Sequence, residues 1–253
     1  MKTFLFSLIM SVSLIASIHT ENIEYQSDGV TLEGFVAYPE KKTNLPAILI
    51  VHDWMGISPH TKERAETLAK EGYVAFAADI YGKGIRPKDS DEASKLATHY
   101  KSDRKLLRER INAALNKLNS LKQTNPKKVV AMGYCFGGTT ALELARSGAP
   151  VVGIVSFHGG LNTSTPNDAK NIKGRVLALH GADDPFVPPA EVRAFKDEMK
   201  KAGVKLEFIA YPNAVHSFTI PLAGNDNSKG AAYNAKADKE SWIAFHKFLK
   251  EVF

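Results

Sequence analysis

Six short runs of Val, Ile, Ala and Leu constrain this chain more than any other feature. They occupy residues 47–52, 74–78, 129–132, 151–157, 176–180 and 206–211. They show almost no polar alternation, which is what strands buried on both faces require. Helical stretches lie between them, at 61–70, 138–147, 190–202 and 231–249, and Leu107, Ile111, Ala114, Leu115, Leu118 and Leu121 mark the apolar stripe of another. Glycines at 72, 148 and 203 end three of these helices just before the next strand. Strand and helix in alternation imply right-handed crossovers and a mainly parallel sheet with helices on both faces. Two further segments, 22–25 and 31–37, flank Asp28-Gly29 and predict an antiparallel hairpin at the start. The polar, basic residues 81–102 read as a loop and short helix over one end of the sheet.

Composition narrows the function classes. Of 253 residues, 44% are hydrophobic and 24% charged, enough to bury a full core, and folds of this type reach this length as one domain. Residues 21–253 therefore read as a single domain and a monomer. The 33 Lys and Arg against 27 Asp and Glu leave a charge of +6, but the lysines are interspersed with acids, as in residues 88–95 (KDSDEASK). That pattern is a solvated surface and predicts no nucleic-acid partner. The single cysteine, Cys135, excludes an intramolecular disulfide and a thiolate-rich zinc site. No His, Asp and Glu grouping has metal-ligand spacing, and no glycine-rich phosphate loop follows a strand, so neither metal nor cofactor is expected. Residues 1–20, with Lys2 ahead of an uncharged apolar run over 4–16, resemble a secretory signal peptide too short to span a bilayer. The expected product is exported, periplasmic or secreted, with no stable membrane anchor once the signal is removed. Full-length protein in the cytosol would contradict this.

The chemistry concentrates around Cys135. The segment GYCFGG (residues 133–138) follows the strand ending at Met132 and opens a helix, the context in which glycine-x-nucleophile-x-glycine makes a sharp elbow. Glycines two residues either side of the nucleophile leave room for neighbouring backbone. The helix N-terminus favours negative charge on the side chain and on any oxyanion that forms beside it. A lone cysteine is more often a small buried hydrophobe, but the strand before and helix after favour the nucleophile.

The order nucleophile, acid, histidine then follows, as in α/β-hydrolases. The strand at 176–180 runs into HGADDPFVP (residues 180–188), and that at 206–211 runs into PNAVHSF (residues 212–218), which supplies His216. Each lies at the carboxyl end of a strand, where open parallel sheets hold their crevices. Asp183 and Asp184 are adjacent, so only one can face the imidazole. His180 is expected to hydrogen-bond at the sheet rim, and His158, after the strand at 151–157, to line the pocket.

Over residues 22–253 these motifs resemble the dienelactone hydrolase family of α/β-hydrolases. The resemblance implies a Cys-Asp-His triad of Cys135, Asp184 and His216, the family's acid preceding the x-Phe-Val-Pro segment. It also implies an oxyanion hole from the backbone amides of Trp54 and Phe136. Where the family carries a glutamate bonded to the resting cysteine, this chain has Asp53, one methylene shorter. Lys83 and Arg86 lie in roughly the loop from which family members grip a substrate carboxylate, but the local sequence differs and favours a solvated loop. No insertion between Phe157 and Val176 is long enough for a large lid. The expected substrate is a small soluble ester or lactone, cleaved through a thioester. A non-catalytic or thiol redox-sensing protein on the same fold is the competing reading, since an activated exposed thiol also suits oxidation.

Overall fold

The computed structural model describes residues 17–253. The leader-like stretch lies outside them, except for residues 17–20. Eight strands form one sheet in the order β1-β2-β4-β3-β5-β6-β7-β8. The hairpin β1 (Ile18–Ser27) and β2 (Val30–Pro39) turns at Asp28-Gly29, where both residues have positive φ. Strands β3 (Leu45–Val51), β4 (Val74–Ala78), β5 (Thr124–Tyr134), β6 (Gly153–Phe157), β7 (Arg175–Gly181) and β8 (Leu206–Tyr211) run parallel to one another, and β2 meets β4 antiparallel.

Alternate side chains of the central strands enter two cores. Ala47, Leu49 and Val51 of β3 face helices α2 (Ser90–Ser102), α3 (Arg104–Ser120), α4 (Phe136–Arg146) and α5 (Pro189–Lys201). Ile48 and Ile50 face α1 (Pro59–Lys70) and α6 (Ala235–Val252), whose Phe245, Phe248 and Leu249 are buried. Each such side chain contributes about 1.5–3 kcal/mol. The expected helices on both faces of a mainly parallel sheet are thus present. Between β6 and β7 lies only a short turn of 3₁₀ helix, Pro166–Asn171.

Three elements differ from expectation. β1 starts at Ile18, ahead of both Asn22 and the expected domain start, and residues 18–20 pair with 37–39. This edge strand is polar and half exposed, so its outer portion carries no apolar signature. Residues 81–102 contain a 13-residue helix, α2, in place of a short one. Asp89 caps it by accepting from Glu92 N at 2.9 Å, while Glu92 accepts from Lys88 N, just ahead of the cap, at 3.0 Å, so the helix start is written within a charged run. Residues 231–234 do not join α6, because Ala231 bridges to His216 instead.

The nucleophile-type elbow depends on two close approaches. A Cβ on Gly133 would stand 2.2 Å from the Gly137 carbonyl, and one on Gly137 would stand 2.3 Å from Val51 O and 2.5 Å from His52 O. Helix α4 therefore starts in direct backbone contact with the end of β3. Farther along, the fully buried Arg146 forks onto Glu198 with two 2.8 Å bonds and also reaches Glu143 at 3.0 Å, joining α4 to α5. Gly137→Ala is expected to lose about 1–3 kcal/mol or more, seen as a lower urea midpoint with an unchanged slope. A wild-type midpoint would show that α4 can withdraw from β3 without cost.

Candidate active site

Six strand ends meet on one rim. Cys135 connects β5 to α4 with φ 53° and ψ −114°, a conformation that L-residues rarely adopt. Its backbone is held by Cys135 N to Phe157 O at 3.0 Å, and its own carbonyl accepts from Gly138 N at 3.0 Å. The side chain is partly exposed. The loop after β7 brings Asp184 in, and Asp184 is buried while Asp183 is exposed. Asp184 Oδ1 accepts from Phe186 N at 2.9 Å and Oδ2 accepts from His216 Nδ1 at 2.8 Å. The adjacent pair left open by sequence order is thereby resolved in favour of Asp184.

His216 is held from both sides of its backbone. Its N–H donates to Gly230 O at 3.1 Å and its carbonyl accepts from Ala232 N at 3.0 Å, so the segment replacing the expected start of α6 braces the imidazole. Burial alone would depress the ring's proton affinity. Negative charge and hydrogen bonding at Cys135, together with the Asp184 carboxylate, outweigh it and push the His216 pKa up to about 10. The arrangement can therefore hold a protonated imidazole between the Asp184 side chain and that of Cys135.

The loop after β3 provides the other wall. Trp54 and Phe136 both line the cavity with Cys135 and His216, and among the described residues neither Trp54 N–H nor Phe136 N–H donates to a protein acceptor. Asp53 does not meet the cysteine: its Oδ1 accepts from Met55 N at 2.8 Å and closes the turn, and burial raises its carboxyl pKa. The side chain is one methylene short and is spent on its own loop. Ahead of it, His52 is fully buried, donating from Nδ1 to Asp53 O and accepting at Nε2 from Ile80 N at 3.3 Å. Burial lowers its pKa to about 4, so the ring is neutral. It stacks on Phe136 at 5.7 Å and meets Tyr81 edge-on at 4.8 Å.

Two further histidines depart from expectation. His158 does not line the cavity. Its ring is fully buried behind His216, edge to face at 5.3 Å, with Nε2 2.8 Å from Thr219 Oγ1. Burial, with His216 nearby, holds it well below the ordinary range. His180 makes no rim hydrogen bond through Nδ1, which is buried without a partner, and its ring lies against Phe208.

The cavity has a volume of about 460 Å³, within the range of small-ligand sites. Its apolar wall comes from Trp54, Ala97, Phe136, Phe186 and Val187, and α2, read from sequence mainly as loop, supplies one side through Ser94, Ala97 and Thr98. Lys83 and Arg86 lie outside it: Lys83 pairs with Glu24 at the surface, and Arg86 sits 3.6 Å from buried Asp79. Two other cations, Lys101 of α2 and Lys229, line the cavity, alongside Glu191. Glu191 is already engaged by Leu161 N at 2.6 Å and Asn162 N at 3.0 Å. Isolated lysines in polar stretches carry no signal that could have marked them in advance.

The dienelactone hydrolase family model matches residues 32–253. A protein of Aquifex aeolicus, named provisionally a carboxymethylenebutenolidase, is 32% identical over 90% of this chain and 96% of its own length. The structure titled m3DLH superposes with a TM-score of 0.89 at 37% identity, covering 93% of this chain and 99% of that one. P91, titled a dienelactone hydrolase-like promiscuous phosphotriesterase from metagenomic libraries, superposes with a TM-score of 0.88 at 38% identity over the same shares.

Because His216 is raised by a partner, its contribution to stability is complete below about pH 6.5 and is lost as pH rises through about 10. His52 and, on α1, His60 have the opposite sign: they are lowered by burial, so the stability of their neutral burial is present above about pH 6.5 and is lost as pH falls through about 4. His158, also lowered by burial, acts in the same direction. A urea midpoint that declines from pH 7 to pH 5 is expected. In NMR titration, Cys135→Ala is expected to bring the His216 pKa well below its wild-type position, and an unchanged value would contradict the coupling.

Proposed function

Because this chain belongs to the dienelactone hydrolase family and is a hydrolase of that kind, we propose that it cleaves small soluble esters or lactones through Cys135, Asp184 and His216. The observation that carries this reading is His216 held 2.8 Å from Asp184 while facing the same cavity as Cys135. The Cys135 thiolate attacks the acyl carbonyl, forming a C–S bond and moving the carbonyl electrons onto oxygen. The amides of Trp54 and Phe136 stabilise that oxyanion, each worth about 3 kcal/mol. The intermediate collapses and expels the alkoxide, which takes its proton from His216. Neutral His216 then accepts a proton from water, hydroxide adds to the thioester, and the carboxylic acid leaves as the thiolate returns. Asp184 keeps the imidazole oriented and its charge balanced throughout.

The family membership and the apolar wall favour this over the redox-sensing alternative, which has no use for an oriented His-Asp pair. The two lysines favour an acyl or leaving portion that carries negative charge. The name of P91 adds phosphotriesters to the classes worth assaying. Export remains part of the proposal, resting on the character of residues 1–20.

Wild-type protein is expected to turn over p-nitrophenyl acetate, with Cys135→Ala and His216→Ala each slowing kcat by about 10³-fold or more. In the same assay, esters bearing a free carboxylate should show the higher kcat/KM, with the advantage shrinking as salt rises. Wild-type turnover no faster than both variants, with peroxide consuming one thiol per chain, would favour the redox reading instead.

A further inference from the structure

We propose that His52 is a positioning residue that sets the orientation of the Trp54 amide, and so determines whether the oxyanion site forms. This rests on the hydrolase reading above. The argument begins with the peptide plane between Asp53 and Trp54, which carries both the Asp53 carbonyl and the Trp54 N–H. No peptide bond among the described residues is cis, so these two groups point in opposite directions. Whatever holds the Asp53 carbonyl therefore aims the Trp54 N–H away from itself.

The His52 ring is what holds it. Asp53 O is an acceptor only, so the Nδ1 atom 2.5 Å away carries the proton and donates. Nε2 is then unprotonated and accepts from Ile80 N at 3.3 Å, at the end of β4. One ring thus ties the β3 loop to the β4 loop with each nitrogen in a defined role. Gly56 N also donates to Asp53 O, at 3.3 Å, and supplements the ring. Phe136, whose amide is the second proposed donor, stacks on the same imidazole, with ring planes 18° apart. The two donors are therefore referenced to a single rigid group. Tyr81 donates its hydroxyl to Trp54 O at 3.0 Å and secures the far side of the next peptide. A flip of the 53–54 peptide would break the Nδ1 bond and present a carbonyl oxygen where the reaction places negative charge.

Two substitutions separate the roles of the nitrogens. His52→Asn places an amide N–H near the Nδ1 position and can keep the bond to Asp53 O. His52→Gln places its amide near Nε2, where it can accept from Ile80 N but leaves the Asp53 carbonyl unheld. The expected result is a kcat for p-nitrophenyl acetate about 10²-fold lower in His52→Gln with KM changed by less than about threefold, as for loss of one oxyanion donor. His52→Asn should recover most of that loss. The ¹⁵N-labelled Trp54 amide resonance should move in His52→Gln and stay near its wild-type position in His52→Asn. Wild-type kcat in folded His52→Gln, or equal losses in both variants with the Trp54 resonance in place, would overturn the proposal and leave His52 a packing group. Absence of turnover in wild type would instead count against the hydrolase reading, and the Trp54 resonance would still decide the role of His52.

Discussion

The structure depends on backbone contact between the start of α4 and the end of β3. With no side chain at Gly133 or Gly137, the helix approaches until a Cβ would lie 2.2–2.3 Å from carbonyl oxygens, and Cys135 is left at φ 53° and ψ −114°. That strain costs of order 1–3 kcal/mol and persists because the flanking sheet and helix over-determine it. Its consequence is chemical: the side chain stands above the sheet rim while the first turn of α4 supplies free N–H groups beside it. The same contact brings Phe136 against His52, so the elbow and the β3 loop are parts of one packed unit.

Electrostatics then divides the histidines into two classes. His216 has a carboxylate on one side and the cysteine on the other, and its proton affinity rises despite burial. His52 and His158 are buried with neutral hydrogen-bond partners, so theirs fall. Only the first kind faces the cavity beside the cysteine, and there its neighbours support the protonated ring. The second kind fixes backbone or side chains, and their neutrality is a condition of the hydrogen bonds they make.

Much of this was legible in the sequence where burial on both faces leaves a continuous apolar run. Strands β3 to β7 follow that rule along their apolar runs, while β8, at the sheet edge, is apolar but only half-buried, and the elbow glycines marked Cys135. The order of loops then pointed to His216. The hairpin was seen but cut short, since an edge strand such as HTENIEYQS gains its pairing from hydrogen bonds that do not select side chains. Helix α2 was under-read because its signal is the Asp89 cap and the Glu92 bond back to Lys88 N, which look like surface charge until their hydrogen bonds are known. His158 and Asp53 were placed nearer the chemistry than they are. A residue's position after a strand says which rim it reaches, but the positive φ of His158 turns its ring behind His216, and the short Asp53 side chain turns back to Met55 N. Lys101 and Lys229 reach the cavity from segments 128 residues apart in sequence, a proximity that only the fold creates.

The central claim is that the strained cysteine carries the acyl group. Intact-protein mass spectrometry after rapid acid quench, using an ester chosen for slow deacylation, tests it most directly. The account predicts added mass equal to one acyl group, released by hydroxylamine and mapping to the peptide that contains Cys135. An unmodified chain quenched during the pre-steady-state burst of turnover, or an acyl group on a different residue, would contradict it.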